Sequence, residues 1–311
     1  MNPEISILVP NYNHASFLEQ RIKSILSQTF QDFEIILLDD ASTDSSIKIL
    51  SNYKKHPKVS HCVFNKKNSG SPFGLWKMGF KLAKGKYVWI AESDDWSDLK
   101  FLEKLVPKFE NTKTVVAHCK SFNVNTYTNI VKENNWWVSF GVTLWDNNFV
   151  ENGTTLLKNY GKFKCPVINV SSALIRKSVI ENIKIPIEYS YCGDWLFWAK
   201  IFNLGEVAYS KNALNFIRIH PNSATGENNA ENLEKILENF KVANQITVML
   251  GKKFKYHKNY NWLLNLLVQE TSRNSNFLKF KYISSSIPLS FLLQFYKQLI
   301  LKLFNKILHK I

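Results

Sequence analysis

The sequence lacks the features that identify several common protein classes. Its four cysteines, Cys62, Cys119, Cys165 and Cys192, are widely spaced and form no C-x-x-C pair. This spacing argues against a zinc site or a disulfide framework and favours a reducing compartment. The first residues show no basic segment followed by an apolar run, so we predict no secretion signal. No uncharged apolar run reaches the ~18 to 20 residues that a membrane-spanning helix needs. We therefore expect a cytoplasmic protein.

Acidic residues are scarce in the last fifth of the chain. The 311 residues include 40 Lys and Arg against 25 Asp and Glu, which gives a formal charge of +15. The segment from Gly251 to Ile311 contains eleven Lys and Arg but a single acidic residue, Glu270. Such a field favours anionic partners, which include lipid headgroups, phosphorylated substrates and nucleic acid.

Short apolar runs alternate with helical patterns over the first ~100 residues. The runs predict four buried strands, Ile5 to Val9, Glu34 to Leu38, Val59 to Phe64 and Tyr87 to Ala91. Between them we predict three helices, which begin at the capping-box pattern Ser16 to Glu19, after Ser42 to Asp44, and near Phe73. This alternation is typical of an α/β fold with a mostly parallel sheet flanked by helices.

Three polar clusters follow these strands, at Pro10 to Asn13, Asp39 to Asp40 and Glu92 to Asp95. Ligands bind beyond the carboxyl ends of strands in such sheets, so we expect the clusters to meet at one rim. Three carboxylates within four residues repel one another unless a positive charge lies between them. They suit Mg²⁺ or Mn²⁺, which in turn would neutralise a diphosphate. The alternative is a solvated loop that caps the next helix.

These clusters together resemble the nucleotide-binding half of the family 2 glycosyltransferases, which have the Rossmann-like GT-A fold. The resemblance is close over residues 3 to 110 and looser to about 225. It rests on Val9-Pro10-Asn11-Tyr12-Asn13, on the run from Asp39 to Asp44, and on Glu92-Ser93-Asp94-Asp95. Many members have Asp at the first position of this last motif, where the chain has Glu92.

The resemblance implies a nucleotide-diphosphate sugar as donor, with UDP-sugars favoured. Tyr12 would pack on the base, Asp40 would accept a hydrogen bond from it, and Pro10 would shape the strand end. The alternative for Tyr12 and Asp40 is a structural role, and Asp39 equally fits a helix cap.

For the donor diphosphate, the resemblance implies Asp94 near the ribose and diphosphate. Asp95, with Glu92 and His220, would hold Mn²⁺ or Mg²⁺. The family often has an Arg-x-His pair at this place, and "NFIRIH" puts Arg218 and His220 on one face of a strand. The resemblance implies that Arg218 contacts the diphosphate, and a structural role is the alternative for His220. Lys77 would replace an arginine that many members carry.

Transfer to an acceptor hydroxyl requires a base. The run "YCGDWLFWAKI" places Asp194 where the family has its catalytic aspartate, and an N-cap role is the alternative. The resemblance implies an inverting enzyme that acts on a glycan or lipid-linked acceptor in envelope polysaccharide or glycolipid synthesis. A non-catalytic sugar-nucleotide or membrane-binding protein with the same fold is the rival reading. A nucleotidyltransferase is disfavoured because "VPNYNHAS" contains no glycine.

The end of the chain predicts a basic amphipathic helix from Ser290 to Lys310. It fits the anionic inner face of the plasma membrane, or it packs on the protein or on a second copy. Its continuous apolar face offers few platforms for bases, so we expect no nucleic acid. We predict a glycosyltransferase domain over 1–225, with halves 1–110 and 111–225, and a helical extension over 226–311. The sequence leaves the oligomeric state open.

Overall fold

The computed structural model describes residues 2–134, 136–137, 141–221, 223, 232–273, 283 and 286–308, with the backbone alone at 273 and 303–308. The predicted boundary near residue 225 and the end of the last helix at Lys310 lie outside these residues.

The first third of the chain forms the predicted α/β unit. Its strands are β1 (Ile5–Asn11), β2 (Phe33–Asp39), β3 (Val59–Phe64) and β4 (Tyr87–Ile90), and its helices are α1 (Ala15–Leu26), α2 (Ser46–Tyr53) and α3 (Pro72–Leu82). The four strands pair in parallel in the order β3-β2-β1-β4. Residues alternate along each strand between two core clusters, so that Leu8 faces one and Ile7 the other. Both faces of the sheet are therefore buried, which explains why the strands read as continuous apolar runs.

The rest of the chain extends this sheet with strands of mixed direction. The elements are β5 (Trp96–Ser97), α4 (Phe101–Leu105), β6 (Thr114–Asn125), β7 (Val131–Glu133), β8 (Phe149–Asn152), α5 (Gly153–Leu156), β9 (Ala173–Arg176), α6 (Lys177–Ile180), α7 (Gly193–Phe202) and β10 (Glu206–Ile219). The sheet continues from β4 through β9, β6 and β10 to β5, and β9 is antiparallel to both of its neighbours. The α/β fold class is confirmed.

Two local sequence patterns differ from the structure. The sequence predicts two short strands, Glu206 to Tyr209 and Leu214 to Ile219, but these residues form one 14-residue strand, β10, whose register shifts between Ser210 and Asn215 interrupt the pattern. The capping box at Ser16 is not formed, because α1 has His14 at its N-cap position. The carboxylate of Asp44 instead accepts a hydrogen bond from the Ala15 backbone N–H at 2.9 Å.

Three longer helices follow the sheet, α8 (Leu233–Met249), α9 (Asn261–Arg273) and α10 (Leu289–Leu308). Helix α10 packs on the protein through Phe291 and Phe295, which are fully buried. The Phe291 ring lies 5.2 Å from that of Phe240 in α8 and 5.3 Å from that of Tyr260. This face joins the core that also contains Trp198 of α7. One face of α10 therefore packs on the protein, which was one of the two alternatives for this helix. The division into domains at residue 225 stays a prediction.

Candidate active site

The predicted rim forms where β1, β2 and β4 end. Asn11 donates its side-chain N–H to Asp39 Oδ2 at 2.8 Å, and the Asp40 backbone N–H donates to the Asn11 carbonyl at 2.9 Å. On the other side, His14 Nδ1 lies 2.8 Å from Ser93 Oγ. Three clusters that are far apart in the sequence thus meet, as the parallel sheet requires.

One end of the rim carries the residues predicted for the nucleoside. Tyr12 is 43% exposed, so part of it is accessible to a ligand. Pro10 lies buried in β1 directly before this turn. The Asp40 carboxylate is held in place by Asn65 Nδ2 at 2.7 Å and by the Ser69 backbone N–H and hydroxyl at 2.9 and 2.7 Å.

Asp39 serves the loop that follows β2. Its carboxylate accepts from the backbone N–H of Ser42 at 2.9 Å and from its hydroxyl at 2.6 Å. Two rim residues, Asn13 and Ala41, adopt positive φ angles of 54° and 61°. Such backbone is unfavourable for a residue with a Cβ and is found where the surrounding structure imposes it.

A buried arginine that the sequence reading overlooked lies beneath the turn from Glu92 to Asp95. Arg21 is fully buried, and its Nε donates to the Glu92 carbonyl at 2.7 Å. Its guanidinium lies 5.4 Å from the centre of the Trp89 ring. Burial lowers the pKa of Arg21 to about 10, against the opposing attraction of Asp95, Asp94 and Glu92. Arg21 therefore stays charged and is one source of the positive charge that the acidic turn requires.

Arg218 holds the same turn from β10. Its Nε donates to the Asp94 carbonyl at 2.8 Å, and its Nη2 donates to Gln20 Oε1 at 2.5 Å. The guanidinium lies 4.5 Å from the Phe17 ring and 4.6 Å from the Trp96 ring. Two arginines thus fix two carbonyls of one turn and bring positive charge next to its carboxylates.

Replacing Arg21 with leucine is expected to destabilise the protein by about 3–5 kcal/mol, because the buried carboxylates would lose their internal counter-charge. Chemical denaturation at neutral pH measures the change. The matched control is Lys23→Leu on the same helix, where the exposed pair of Lys23 with Glu19 is worth little. An Arg21→Leu protein within about 1 kcal/mol of the control would contradict this role for Arg21.

The two outer carboxylates of the turn are engaged by the protein itself. Glu92 Oε1 accepts a hydrogen bond from Trp76 Nε1 at 3.1 Å. Asp95 Oδ2 accepts from Asn169 Nδ2 at 2.9 Å and from Ser171 Oγ at 2.8 Å, while its other oxygen accepts a backbone N–H of β10 at 3.1 Å. Asp95 is 2% exposed, so these partners largely enclose it.

The three carboxylates differ in charge state. Burial, with the nearby Asp94 and Asp95, raises the pKa of Glu92 to about 8, so it is largely neutral at pH 7. Burial and Asp94 likewise raise the pKa of Asp95. Burial also disfavours the charge on Asp94, but the hydrogen bond from His220 and the nearby His14 outweigh it and lower its pKa. Asp94 is therefore the carboxylate of the turn that most strongly keeps its negative charge.

Asp94 also lies in the one group of possible metal ligands among the described residues. The ligand atoms of His14, Asp94 and His220 all lie within 4.8 Å of one another. His220 Nε2 is 3.3 Å from Asp94 Oδ2. One carboxylate and two imidazoles form a donor set that fits a divalent cation. Three residues were predicted to hold a metal. His220 belongs to this group. Glu92 and Asp95 lie outside it and accept hydrogen bonds from Trp76, Asn169 and Ser171 instead.

Asp194 lies in the first turn of α7, after the N-cap residue Cys192, so it is not the N-cap. Its Oδ1 accepts the Trp195 backbone N–H at 2.8 Å. Burial raises its pKa to about 6, which keeps it mostly ionised at pH 7 yet able to bind a proton.

A close packing contact ties this helix to the rim. A Cβ on Gly193 would lie 2.6 Å from the Phe73 ring, so a larger residue here would displace Phe73. Phe73 packs edge-to-face on Trp76 at 4.9 Å, and Trp76 holds Glu92. The glycine before Asp194 thus allows α7 to approach α3 beside the acidic turn.

Lys77 lies apart from the rim contacts. It is exposed on α3 and lines a separate surface cavity of about 400 Å³ with Phe80, Lys81, Lys177 and other residues of the α6 region. Its contact with a diphosphate stays a prediction.

Sequence reasoning missed His14 and Arg21. His14 directly follows a strand-end motif, where polar residues of an α/β rim are candidates. Arg21 occupies one position of the buried stripe Leu18, Arg21, Ile22 and Ile25, and a charge within an apolar helix face was the available signal.

Comparison with known proteins decides the family. The model of the glycosyl transferase family 2 matches residues 6–184, which is more than half of the chain. The chain belongs to this family. The resemblance read from the rim motifs is confirmed, and the protein is a glycosyltransferase of GT-A fold.

Three similar proteins illustrate the relationship. An uncharacterized glycosyltransferase of Haemophilus influenzae is 27% identical over 238 residues, 75% of this chain and 70% of that protein. The poly(ribitol-phosphate) beta-glucosyltransferase of Bacillus spizizenii is 39% identical over 95 residues, 30% of this chain but 15% of that protein. The structure of S. aureus TarS 1-349 in complex with UDP-GlcNAc has a TM-score of 0.63 at 18% identity, covering 93% of this chain and 77% of that one.

Proposed function

We propose that this glycosyltransferase moves a sugar from a UDP-sugar to an acceptor hydroxyl with inversion of the anomeric centre. The observation that carries the proposal is the rim itself. An exposed aromatic ring, a buried carboxylate and a group of cation ligands lie at the strand ends. The ring and the carboxylate suit the base of a nucleotide sugar, and the cation ligands suit the metal that accompanies its diphosphate.

In the donor half, Tyr12 stacks on the base, and Asp40, fixed by Asn65 and Ser69, accepts a hydrogen bond from it. This chemistry suits uracil N3–H. The TarS structure with UDP-GlcNAc supports a UDP-sugar as the donor class. Pro10 fixes the strand end from which Tyr12 projects.

We assign the donor cation, Mn²⁺ or Mg²⁺, to Asp94 and His220, where the ligand atoms are 3.3 Å apart. Bound there, it would stabilise the charge of the departing diphosphate. Glu92 and Asp95, predicted as ligands, are assigned a positioning role because Trp76, Asn169 and Ser171 engage them. Arg218 likewise supports the turn through the Asp94 carbonyl, and its charge remains near the diphosphate position.

In the acceptor half, Asp194 removes the hydroxyl proton as the acceptor oxygen attacks the anomeric carbon. The carboxylate takes up the proton, the new C–O bond forms, and the bond to the diphosphate breaks. A pKa of about 6 suits this role, because the base is charged at neutral pH but not strongly hydrated. Attack from the face opposite the leaving group inverts the configuration.

We propose a glycan or lipid-linked acceptor of the cell envelope. The name of the Bacillus spizizenii relative, a poly(ribitol-phosphate) beta-glucosyltransferase, supports an envelope polymer. The basic end of the chain supports an anionic acceptor or an anionic surface that carries it.

Helix α10 supports peripheral attachment to such a surface. No helix among the described residues is long and apolar enough to cross a bilayer. Opposite its packed face, however, α10 exposes Leu289, Leu293 and Ile300 by 64% to 70%. Their spacing places them on one helix face, and Lys297 and Lys302 lie on the same helix. An exposed apolar row with basic residues is typical of helices that lie in the membrane interface.

Replacing Leu293 with glutamate is expected to weaken binding to vesicles that contain anionic lipid by about tenfold, because the charge cannot enter the acyl region. Co-sedimentation measures the effect. The control is Leu204→Glu, an exposed leucine outside α10. Equal binding by both variants, or no vesicle binding by the wild type, would contradict the membrane proposal.

A ligand-dependent thermal shift tests the donor class. A ligand that binds the native state raises the melting temperature. Wild-type protein is heated with UDP, GDP or CDP at millimolar concentration, with and without Mn²⁺. We expect the largest rise with UDP and Mn²⁺ together. A larger rise with GDP or CDP would overturn the UDP assignment, and no rise with any nucleotide would overturn the donor site.

A further inference from the structure

We propose that His14 is a third protein ligand of the donor cation, so that the site takes a first-row transition ion in preference to Mg²⁺. This deepens the proposed function, on which it rests for the place of the cation. Its chemical basis is the set of two imidazoles and one carboxylate that the rim brings together.

The geometry of the three side chains fits a single ion. Ligands that lie about 2.1 Å from one ion are roughly 3.0 to 3.5 Å from each other, depending on whether the geometry is octahedral or tetrahedral. His220 Nε2 and Asp94 Oδ2 are already 3.3 Å apart. The His14 ligand atom lies within 4.8 Å of both, so a small side-chain rotation would complete the set. The two imidazole rings are perpendicular, with centroids 5.7 Å apart.

The surroundings of His14 orient its ring. Its Nδ1 lies 2.8 Å from Ser93 Oγ, so Nε2 is the nitrogen available to a metal. With a metal on Nε2, Nδ1 would carry the proton and donate it to Ser93. A hydrogen bond of this kind at the second nitrogen commonly fixes metal-binding histidines. Ser93 is itself 1% exposed and lies in the acidic turn, next to Asp94.

The backbone of His14 is fixed as well. Its carbonyl accepts the backbone N–H groups of Phe17 at 2.9 Å and Leu18 at 3.0 Å. The next residue, Ala15, donates its N–H to Asp44. The Phe17 ring lies 4.8 Å from the His220 ring and provides an apolar wall beside the site. The ligand set is therefore built on the start of α1, the acidic turn and the end of β10.

The ligand set determines which ions it binds. Mg²⁺ prefers oxygen ligands and retains several waters, whereas imidazole nitrogen favours transition ions. A site with Asp94 and one histidine would still accept Mg²⁺, but a second imidazole shifts the preference toward ions such as Mn²⁺ and Co²⁺. His14 thus determines the cation specificity. It favours Mn²⁺ over Mg²⁺, the two ions between which the sequence did not decide.

Direct metal titration of the full chain tests the proposal. Free Mn²⁺ is followed by its electron paramagnetic resonance signal, and Mg²⁺ is added as a competitor. We expect wild type to retain Mn²⁺ against a tenfold excess of Mg²⁺, and His14→Gln to bind Mn²⁺ at least about tenfold more weakly. The control is His61→Gln, a half-buried histidine on β3, away from the rim. Equal Mn²⁺ affinity in His14→Gln and wild type would overturn the proposal.

A second measurement needs no variant and remains decisive where His14→Gln folds poorly. Electron spin echo modulation of Mn²⁺ bound to the wild type reports coordinated imidazole nitrogens. Two coordinated imidazoles support the proposal, and one overturns it. UDP binding separates this inference from the proposed function. If the protein binds UDP but Mn²⁺ carries one imidazole, the proposed function stands and the role of His14 is wrong. If Mn²⁺ carries two imidazoles but no nucleotide binds, the role of His14 stands and the proposed function is wrong.

Discussion

Replacing Asp194 with asparagine is expected to lower the turnover number by about 10²- to 10⁴-fold, the usual contribution of a general base. Asparagine has nearly the same shape but cannot take up the acceptor proton. Donor binding should change little, because Asp194 lies on α7 and the predicted nucleotide contacts lie on the strand ends. Turnover and the KM for the donor are measured separately. The control is Asp146→Asn, an exposed aspartate.

The pH profile gives an independent check on Asp194. Burial raises its pKa to about 6, so the carboxylate becomes protonated as the pH falls through that value. Because the base acts only when ionised, turnover should rise with pH up to about 6 and level off above it. This limb should vanish in Asp194→Asn. A variant that keeps wild-type turnover, or the same pH limb, would show that another group is the base.

The second large effect is expected at Asp94. Replacing Asp94 with asparagine removes the charged ligand from the cation group, and UDP affinity in the presence of Mn²⁺ should fall about 100-fold. A metal ion contributes several kcal/mol to such charge stabilisation, and about 1.4 kcal/mol corresponds to tenfold. Calorimetric titration of UDP with and without Mn²⁺ measures the loss, and without Mn²⁺ the variant and wild type should differ far less.

The adjacent Asp95 provides a matched control. Asn169, Ser171 and a backbone N–H of β10 bind its carboxylate, so Asp95→Asn should chiefly cost stability, by about 1–3 kcal/mol. Mn²⁺-dependent UDP binding should survive in Asp95→Asn at temperatures where it is folded. The reverse pattern, with cation dependence lost in Asp95→Asn and kept in Asp94→Asn, would restore Asp95 as the metal ligand.

The first third of the fold was predictable because its signals are local. The strands are buried on both faces, so each reads as an apolar run, and the polar residues that follow them mark the strand ends. The parallel arrangement then requires those ends to share one rim, which the contacts of Asn11 and His14 confirm. The second half was read less well, since β10 contains register shifts that break its pattern.

The division of roles within the acidic turn could not be predicted from the sequence. Asp94 and Asp95 are neighbours of the same type, and their environments are set by residues more than 70 positions away. Asn169 and Ser171 engage Asp95, whereas His220 lies against Asp94. The arginine under the turn was equally hidden, because its partner is a backbone carbonyl, which no side-chain pattern reveals.

The exposed face of α10 shows a similar limit. The sequence pattern indicated an amphipathic helix but not which apolar residues would be covered. Phe291 packs on Phe240 of α8 and Phe295 is fully buried, while Leu289 and Leu293 remain exposed. Only the tertiary structure separates the residues that stabilise the fold from those available to a surface.

The most direct test of catalysis at this rim is the release of UDP from UDP-sugars by the wild-type protein with and without Mn²⁺, followed over hours without an acceptor. We expect slow release from one UDP-sugar, which Mn²⁺ stimulates and which Asp94→Asn reduces. UDP binding without release from any sugar, even when envelope glycans are supplied as acceptors, would contradict catalysis and favour a sugar-nucleotide-binding protein of the same fold.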